Sequence, residues 1–147
     1  MADITAIKEL ITSRVDVVQL GHDSPCWISD RAGNGRGYTK LAIQGRFWYT
    51  HRLAYTLWVG DIPDGLVIDH LCRNRACCNP EHLEPVTTRD NLLRGETSAA
   101  REAAQTHCKR GHLLAGANLY RRPDGSSKRE CRNCRNSARR RSKAQAA

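Results

Sequence analysis

The sequence has little that could build a large apolar core. Only 5% of its 147 residues are aromatic, with one phenylalanine and one methionine, and the mean hydropathy is −0.62. Domains with so thin a core are usually stabilised by metals or disulfides. No stretch approaches the ~18 apolar residues of a transmembrane helix, and the N-terminal residues lack the long apolar run of a secretory signal. We therefore expect a cytoplasmic protein with no membrane span.

Cysteine, by contrast, is abundant, with seven residues. Clustered thiols in the reducing cytoplasm bind metal rather than pair. Four residues separate Cys72 from Cys77, and four more separate Cys77 from His82. Thiolates and imidazole at such spacings are typical zinc ligands. Cys78 competes with Cys77 for this role, but the spacing favours Cys77, and His82 has an alternative role as ligand of a catalytic metal.

A tetrahedral zinc ion needs a fourth ligand. Cys26 is the preferred candidate because no other cysteine precedes Cys72. His51 and His22 are the alternatives. Ligation by Cys26 would tie its segment to the loop that carries the other ligands.

A second metal signature lies near the C-terminus. Three residues separate Cys108 from His112, and two separate Cys131 from Cys134. Two pairs of this kind, with a turn signal at Pro123-Asp124-Gly125 between them, predict a second structural zinc in a hairpin module. His107 is an alternative to His112.

The positive charge is concentrated in the same segment. Residues 107–147 carry twelve basic and two acidic side chains, a net charge of +10, whereas residues 1–106 carry twelve and thirteen, a net charge of −1. Such asymmetry is typical of a polyanion-binding tail, although 138–147 alone could equally be a solvated extension. The predicted DNA-binding arginines are Arg121, Arg122, Arg129, Arg132, Arg135, Arg139, Arg140 and Arg141.

Three residues between these features suggest phosphodiester chemistry. Asp69 and Asn91 offer the oxygen ligands that Mg²⁺ or Mn²⁺ prefers. His70 has the ordinary imidazole pKa of a general base at neutral pH. Neighbours on a strand point to opposite faces, so Asp69 and His70 can share a site only where the strand twists or ends.

The local patterns predict a mixture of helices and strands. A hairpin signal at Gly33-Asn34-Gly35 lies between two β-like runs, and Thr87-x-x-Asp90 resembles a capping box that begins a helix bearing Asn91. The remaining expected elements are a helix over residues 3–19, strands at Cys26–Asp30, Arg36–Ile43, Arg46–Tyr49, Leu66–Asp69 and His82–Val86, a helix over 50–59 and a helical linker over 96–105.

In its order of strand, loop, strand and helix, the segment over 26–95 resembles the HNH nucleases, especially the phage-encoded ones and the His-Cys box homing endonucleases. The matching residues are Cys26-Trp27, Gly35–Tyr38, Arg46–Tyr49, Asp69-His70-Leu71-Cys72, Cys77, Asn79-Pro80, His82-Leu83, Asn91 and Arg94-Gly95. The resemblance implies an α+β protein whose core is a zinc-stabilised ββα-metal (His-Me finger) nuclease, followed here by a small zinc-finger module. It also implies that Cys26 ligates zinc and that Arg46 reaches the scissile phosphate, although Arg46 could equally be a surface charge on a strand. The expected organisation is an N-terminal helix over 1–20, the nuclease over 21–97, a linker over 98–106 and a basic DNA-binding module over 107–147.

The expected function is therefore that of a metal-dependent endonuclease acting on double-stranded DNA, with His70 as general base and one Mg²⁺-type ion. The alternative is a zinc-dependent DNA-binding protein in which the nuclease motif is only a scaffold. We expect a phage-encoded protein that acts in the bacterial host. Further partners left open by the sequence are a second copy of the chain in a homodimer and proteins of phage DNA packaging.

Overall fold

The computed structural model describes residues 3–30, 33, 35–124 and 128–146. Their backbone divides into two compact units, which meet between residues 95 and 96. The elements of the first unit are α1 (Ile4–Thr12), β1 (Val15–Val18), β2 (Cys26–Ser29), β3 (Lys40–Ile43), β4 (Arg46–Tyr49), α2 (Thr50–Trp58), β5 (Leu66–His70), a 3₁₀ turn (Pro80–His82), β6 (Leu83–Thr87) and α3 (Thr88–Arg94). Those of the second are α4 (Ser98–Ala104), a 3₁₀ turn (Gly116–Asn118), β7 (Leu119–Arg121), β8 (Arg129–Cys131) and α5 (Arg132–Gln145). The chain is thus a mixed helix-and-strand protein.

The first helix is shorter than the sequence predicts. It ends at Thr12, and residues that were expected to continue it to 19 form β1 instead. Three of the four residues of β1 are valines, whose branched side chains favour a strand over a helix. Pairing with β2, from Val15 opposite Ser29 to Val18 opposite Cys26, decides between the two structures.

The strand pairing around the predicted hairpin also differs. β2 pairs with β1, and β3 pairs with β4, so β2 and β3 do not form the expected hairpin. The turn between β3 and β4 is Gln44-Gly45, with φ values of 49° and 76°. Positive φ at both turn residues is what a two-residue hairpin between twisted strands requires. Asn34, at the centre of the predicted turn, lies outside the described residues.

A small apolar core holds α1, α2 and the β3–β4 hairpin together. Ile11, Leu41, Ala54 and Cys78 are its buried members. A smaller cluster of Tyr55, Ile68 and Leu83 lies under β5 and β6.

β5, β6 and α3 follow one another as strand, strand and helix. β5 and β6 are antiparallel, with Leu66 opposite Thr87 and His70 opposite Leu83. The backbone N–H of Asp90 donates to Thr87 Oγ1 at 3.1 Å, so the predicted cap of α3 is confirmed. No helix in the described ranges is long and apolar enough to cross a membrane.

Candidate active site and zinc sites

The predicted ligands of the first zinc site come together in the structure. The sulfur atoms of Cys26, Cys72 and Cys77 and a ring nitrogen of His82 all lie within 4.8 Å of one another. His82 Nδ1 is 3.4 Å from Cys26 Sγ and 3.6 Å from Cys77 Sγ. Ligand atoms at ~2.0–2.3 Å from one tetrahedral ion are roughly 3.5–3.8 Å apart. The donor set and its spacing therefore suit zinc.

Backbone pairing brings Cys77 beside Cys26. An isolated antiparallel bridge joins Ile28 to Cys77, and the N–H of Cys78 donates to the carbonyl of Trp27 at 2.9 Å. The loop after β5 thus adds to the edge of β2, which begins at Cys26. This pairing joins ligands that are about fifty residues apart in the chain.

Neighbouring polar groups orient the ligands. Ser24 Oγ lies 3.0 Å from His82 Nε2, which leaves Nδ1 facing the thiols. The backbone N–H of Asn79 donates to Cys77 Sγ at 3.4 Å, while its side-chain amide donates to the carbonyl of Pro25 at 2.7 Å. Contacts of this kind fix the orientation of metal ligands and raise affinity.

Two of the clustered thiols, those of Cys26 and Cys77, resist ionisation on their own. The pKa of Cys26 is raised to about 12, first by burial and then by the neighbouring thiols of Cys77 and Cys72. Burial likewise raises the pKa of Cys77. Metal ligation needs thiolates, so a divalent cation is the partner that would make three of them compatible here.

The alternative ligands Cys78, His51 and His22 lie outside this cluster. Cys78 is fully buried among the apolar core residues, and burial raises its pKa to about 12. His51 stacks beside His70, 4.8 Å between ring centroids. The ring of His22 lies 5.4 Å from that of His82. Of the residues weighed for the first zinc site, only the preferred four form a group of close donor atoms in the described chain.

The second predicted set also clusters, within 4.8 Å. His112 Nδ1 lies 3.4 Å from Cys108 Sγ, 3.7 Å from Cys131 Sγ and 3.3 Å from Cys134 Sγ. Cys131 is the N-terminal cap of α5, and the backbone N–H of Cys134 lowers its pKa to about 6. This group can hold a second zinc ion.

Some arginines predicted to bind DNA have structural partners within the second unit. Arg129 donates to the carbonyls of Glu102, Ala103 and Gln105 and so caps the C-terminal end of α4. Glu130 pairs with Arg122 at 2.7 Å. Arg139, Arg140 and Arg141 are exposed on α5, where phosphate could reach them.

A basic cleft lies against the second cysteine cluster. Its volume is about 430 Å³, and its lining includes Lys109, Arg110, Arg135 and Arg141. Lys109 and Arg110 were not singled out from the sequence. Their position between the predicted ligands Cys108 and His112 could have indicated them, since residues between two ligands of one metal site lie close to that site.

In the first unit, Asp69 is buried but has charged neighbours. It is 4% exposed, with Oδ1 2.8 Å from Arg73 Nη1 and Oδ2 3.7 Å from Arg94 Nη1. Oδ2 accepts no hydrogen bond within the described part of the chain. A buried carboxylate oxygen of this kind is suited to a cation.

His70 is the last residue of β5 and is 5% exposed. Its pKa is lowered to about 4, chiefly by burial, while a hydrogen bond with the backbone of Cys77 and the charge of Asp69 act in the opposite direction. Nε2 has no hydrogen-bond partner among the described residues. The ring is thus neutral at pH 7, and Nε2 is available to accept a proton.

Aromatic rings surround His70 in a way that sequence reasoning missed. The rings of His51 and Tyr38 lie 4.8 Å and 5.9 Å from it, and Tyr49 lies 5.8 Å from His51. Burial lowers the pKa of His51 to about 3. The order of strand β4 and helix α2 places Tyr49 and His51 together, but their approach to β5 depends on packing between elements.

The other two predicted catalytic residues have different settings. Asn91 is partly buried on α3, directly after the capping turn at Thr87. Arg46 lies at the opposite end of β4 from Tyr49, with its guanidinium over the ring of Trp48 at 5.6 Å. Three residues of strand span roughly 10 Å, so Arg46 lies at the hairpin end of the strand rather than beside the rings around His70.

Comparison with known proteins adds to this geometry. Residues 48–93 match the family model described as HNH endonuclease. The chain is 37% identical over 67 residues to the uncharacterized gene 5.3 protein of Enterobacteria phage T3, covering 42% of this chain and 66% of that protein. It is 33% identical over 87 residues to protein 2.8 of Escherichia phage T7, covering 58% and 56%. It is 36% identical over 58 residues to protein 7.7 of the same phage, covering 40% and 45%.

The matched region contains β5, β6 and α3 together with Asp69, His70 and Asn91. Residues 48–93 therefore match an HNH endonuclease domain, and the relatives that the chain resembles are phage proteins. It spans between about half and two thirds of the length of the curated relatives it matches.

Proposed function

We propose that the protein is a metal-dependent DNA endonuclease with His70 as general base. The observation that carries this proposal is the state of His70 within an HNH domain. The ring is neutral and buried, it lies beside the rings of His51 and Tyr38, and Nε2 has no partner in the described chain. A general base needs this combination of a free nitrogen and a fixed ring.

In the proposed reaction, Nε2 of His70 takes a proton from a water molecule as its oxygen attacks the phosphorus atom. The bond from phosphorus to the 3′ oxygen breaks, and that oxygen leaves with the electron pair. His70 is the last residue of β5, and its ring lies beside those of His51 and Tyr38, so packing holds the ring in place. Rigid placement of the base is a large part of what a site can contribute to such a step.

Asp69 and Asn91 are the proposed ligands of one Mg²⁺ or Mn²⁺ ion. The fit rests on their oxygen chemistry, and on Asp69 Oδ2, which is buried without a hydrogen bond among the described residues. Such an ion would stabilise the charge that develops on the leaving oxygen. β5 ends at His70, with Asp69 opposite Glu84 and His70 opposite Leu83, so the two side chains can share a site only through the twist at the end of the strand.

The ββα-metal arrangement is the fold that we propose for β5, β6 and α3, with the Cys26 cluster as structural zinc. The second cluster and its basic surface would supply phosphate contacts. Exposed arginines on α5 and the cleft with Lys109 and Arg110 support this role. Contacts of this kind give affinity rather than sequence discrimination.

The test is cleavage of supercoiled plasmid by the zinc-loaded protein with and without added Mg²⁺. We expect nicked or linear product that depends on Mg²⁺ or Mn²⁺. DNA binding without any cleavage, at any Mg²⁺ or Mn²⁺ concentration, would favour the alternative of a zinc-dependent DNA-binding protein on a nuclease scaffold.

A further inference from the structure

Strand β4 exposes aromatic rings that the apolar core does not use. Phe47 is 74% exposed, Trp48 is 45% exposed and Tyr49 is 38% exposed. Phe47 is the only phenylalanine of the chain, which has eight aromatic residues in all. Large apolar rings normally contribute most to stability when they are buried. Their exposure in a chain so poor in aromatics indicates a surface with a binding role.

The register of the hairpin shows which rings share a face. Phe47 lies opposite Ala42, and Tyr49 lies opposite Lys40, whereas the alternate residue Leu41 belongs to the buried core. One face of the hairpin therefore packs inward, and the other presents Phe47 and Tyr49 outward. Lys40 Nζ lies 4.9 Å from the centre of the Tyr49 ring, so this outer face is both aromatic and positively charged.

The outer face is continuous with the candidate active site. Tyr49 is 5.8 Å from His51, which is 4.8 Å from His70, all between ring centroids. Phe47 and Tyr49 are two residues apart on one strand face, so their Cα atoms are about 7 Å apart. That distance is about two base steps of a nucleic-acid strand. A strand whose phosphate lies at His70 could thus place adjoining bases on these rings.

We propose that Phe47 and Tyr49 form a stacking platform for unpaired nucleobases next to the scissile phosphate. This inference rests on the proposed nuclease function and specifies its substrate class, DNA that is opened or single-stranded at the cut. A base can stack on an aromatic side chain only when one face of the base is uncovered. Inside a duplex, both faces of a base are covered by its neighbours. Lys40 supplies the charge that accompanies such rings in single-strand binding surfaces.

The test measures binding of the full-length, zinc-loaded protein without Mg²⁺, so that no DNA is cut. Two DNAs of the same sequence are compared, one fully paired and one with a short central bubble. The wild type should prefer the bubble, and Phe47→Ala should reduce affinity for it about tenfold while changing affinity for the duplex less than about twofold. Phe47→Trp keeps a ring and should retain the preference. Val17→Ala, which shortens another exposed side chain on β1, is the matched control.

Three results would overturn the platform: no preference of the wild type for the bubble, an equal loss on both DNAs in Phe47→Ala, or a loss in Phe47→Ala that follows from a change between dimer and monomer in sedimentation. The last result would make the face a contact between copies of the chain. Plasmid cleavage without bubble preference contradicts the platform alone. Bubble preference that is lost in Phe47→Ala, in a protein that cuts no DNA with Mg²⁺, supports the platform and contradicts the nuclease.

Discussion

Asp69 and His70 are adjacent in sequence but lie in different surroundings. Asp69 faces the guanidinium groups of Arg73 and Arg94, whereas His70 lies among the rings of His51 and Tyr38. The surroundings match the two proposed roles. A buried carboxylate oxygen without a hydrogen bond among the described residues can hold a metal ion, and an imidazole nitrogen without one can take a proton.

Replacing either proposed Mg²⁺ ligand should remove cleavage but leave DNA binding. Asp69→Asn and Asn91→Ala each lose an oxygen ligand or its charge, and we expect cleavage to fall about a hundredfold or more. Affinity for DNA, measured without Mg²⁺, should change little because the proposed phosphate contacts lie in the second unit. Asp64→Asn, in the exposed turn before β5, is the control. Near wild-type cleavage by both ligand variants would show that neither residue binds the catalytic ion.

Burial of His51 should make the first unit less stable in acid. Its pKa is about 3 in the folded protein, below the ordinary 6.5, so the unfolded state takes up the proton first as pH falls. The free energy of unfolding should therefore decrease between about pH 6.5 and pH 3. His51→Phe removes this proton, and urea unfolding should show a shallower loss from pH 7 to pH 5. The zinc ligands are the same in both proteins, so their contribution to the pH dependence is the same in both curves. Parallel curves would therefore show that His51 does not contribute to the loss of stability in acid.

Residue chemistry was the most predictable level of this molecule. Cys72, Cys77 and His82 could be grouped because their spacing is short, and soft ligands at short spacing have few other uses. The ring of His51 beside His70 could not be predicted, since nothing local links α2 to β5. Their approach depends on packing, which also lowers both pKa values.

At the scale of helices and strands, the sequence predicted an element correctly where a single local signal determined it. The cap at Thr87 predicted the start of α3 because a side-chain hydrogen bond at one position decides it. The prediction was wrong where a segment could either continue a helix or pair with another strand. Residues 13–19 continue a helical apolar pattern, but β1 forms because β2 offers it a strand to pair with. Cys26 begins that second strand, so zinc binding at the first cluster would stabilise the pairing of β1 and β2.

Each of the two units should be stabilised by its own zinc ion. Metal analysis should find two ions per chain, one for each cysteine and histidine cluster. Cys72→Ser should unfold the first unit, because ligand binding is a large part of the folding energy of so small a core. Cys131→Ser should disorder the second unit while the first keeps its protected amides in hydrogen exchange. Cys78→Ser, which changes a thiol outside both clusters, should retain both ions.

A single zinc ion in well-folded wild-type protein would contradict this assignment. So would retention of two ions by Cys72→Ser, since a tetrahedral site that loses a thiolate binds far less tightly.

At the scale of the whole molecule, the net positive charge and the proposed catalytic residues lie in different segments of the chain. The segment over 107–147 has a net charge of +10, and residues 1–106 have a net charge of −1. The proposed catalytic residues all lie in the acidic part. DNA affinity and DNA cleavage should therefore be separable by mutation.

Neutralising the exposed arginines of α5 should weaken binding in a salt-dependent way. The variant in which Arg139, Arg140 and Arg141 are changed to glutamine loses up to three phosphate contacts. Each lost contact should flatten the slope of log affinity against log salt by about 0.9. The ranking of DNA sequences should change less than the affinity. Arg14→Gln, in the first unit, is the control, and an unchanged slope in the triple variant would mean that this charge serves another purpose.

The most direct measurement is single-turnover cleavage by His70→Ala and the wild type, with the protein in saturating excess over DNA, with Mg²⁺ and with equal zinc content. The account predicts that His70→Ala binds DNA as the wild type does and cuts it about a hundredfold to ten-thousandfold more slowly, because only the general base is lost. His107→Ala, a histidine of the second unit, should cut at the wild-type rate. Cleavage by His70→Ala at close to the wild-type rate would contradict the account, since no other residue in it accepts the proton.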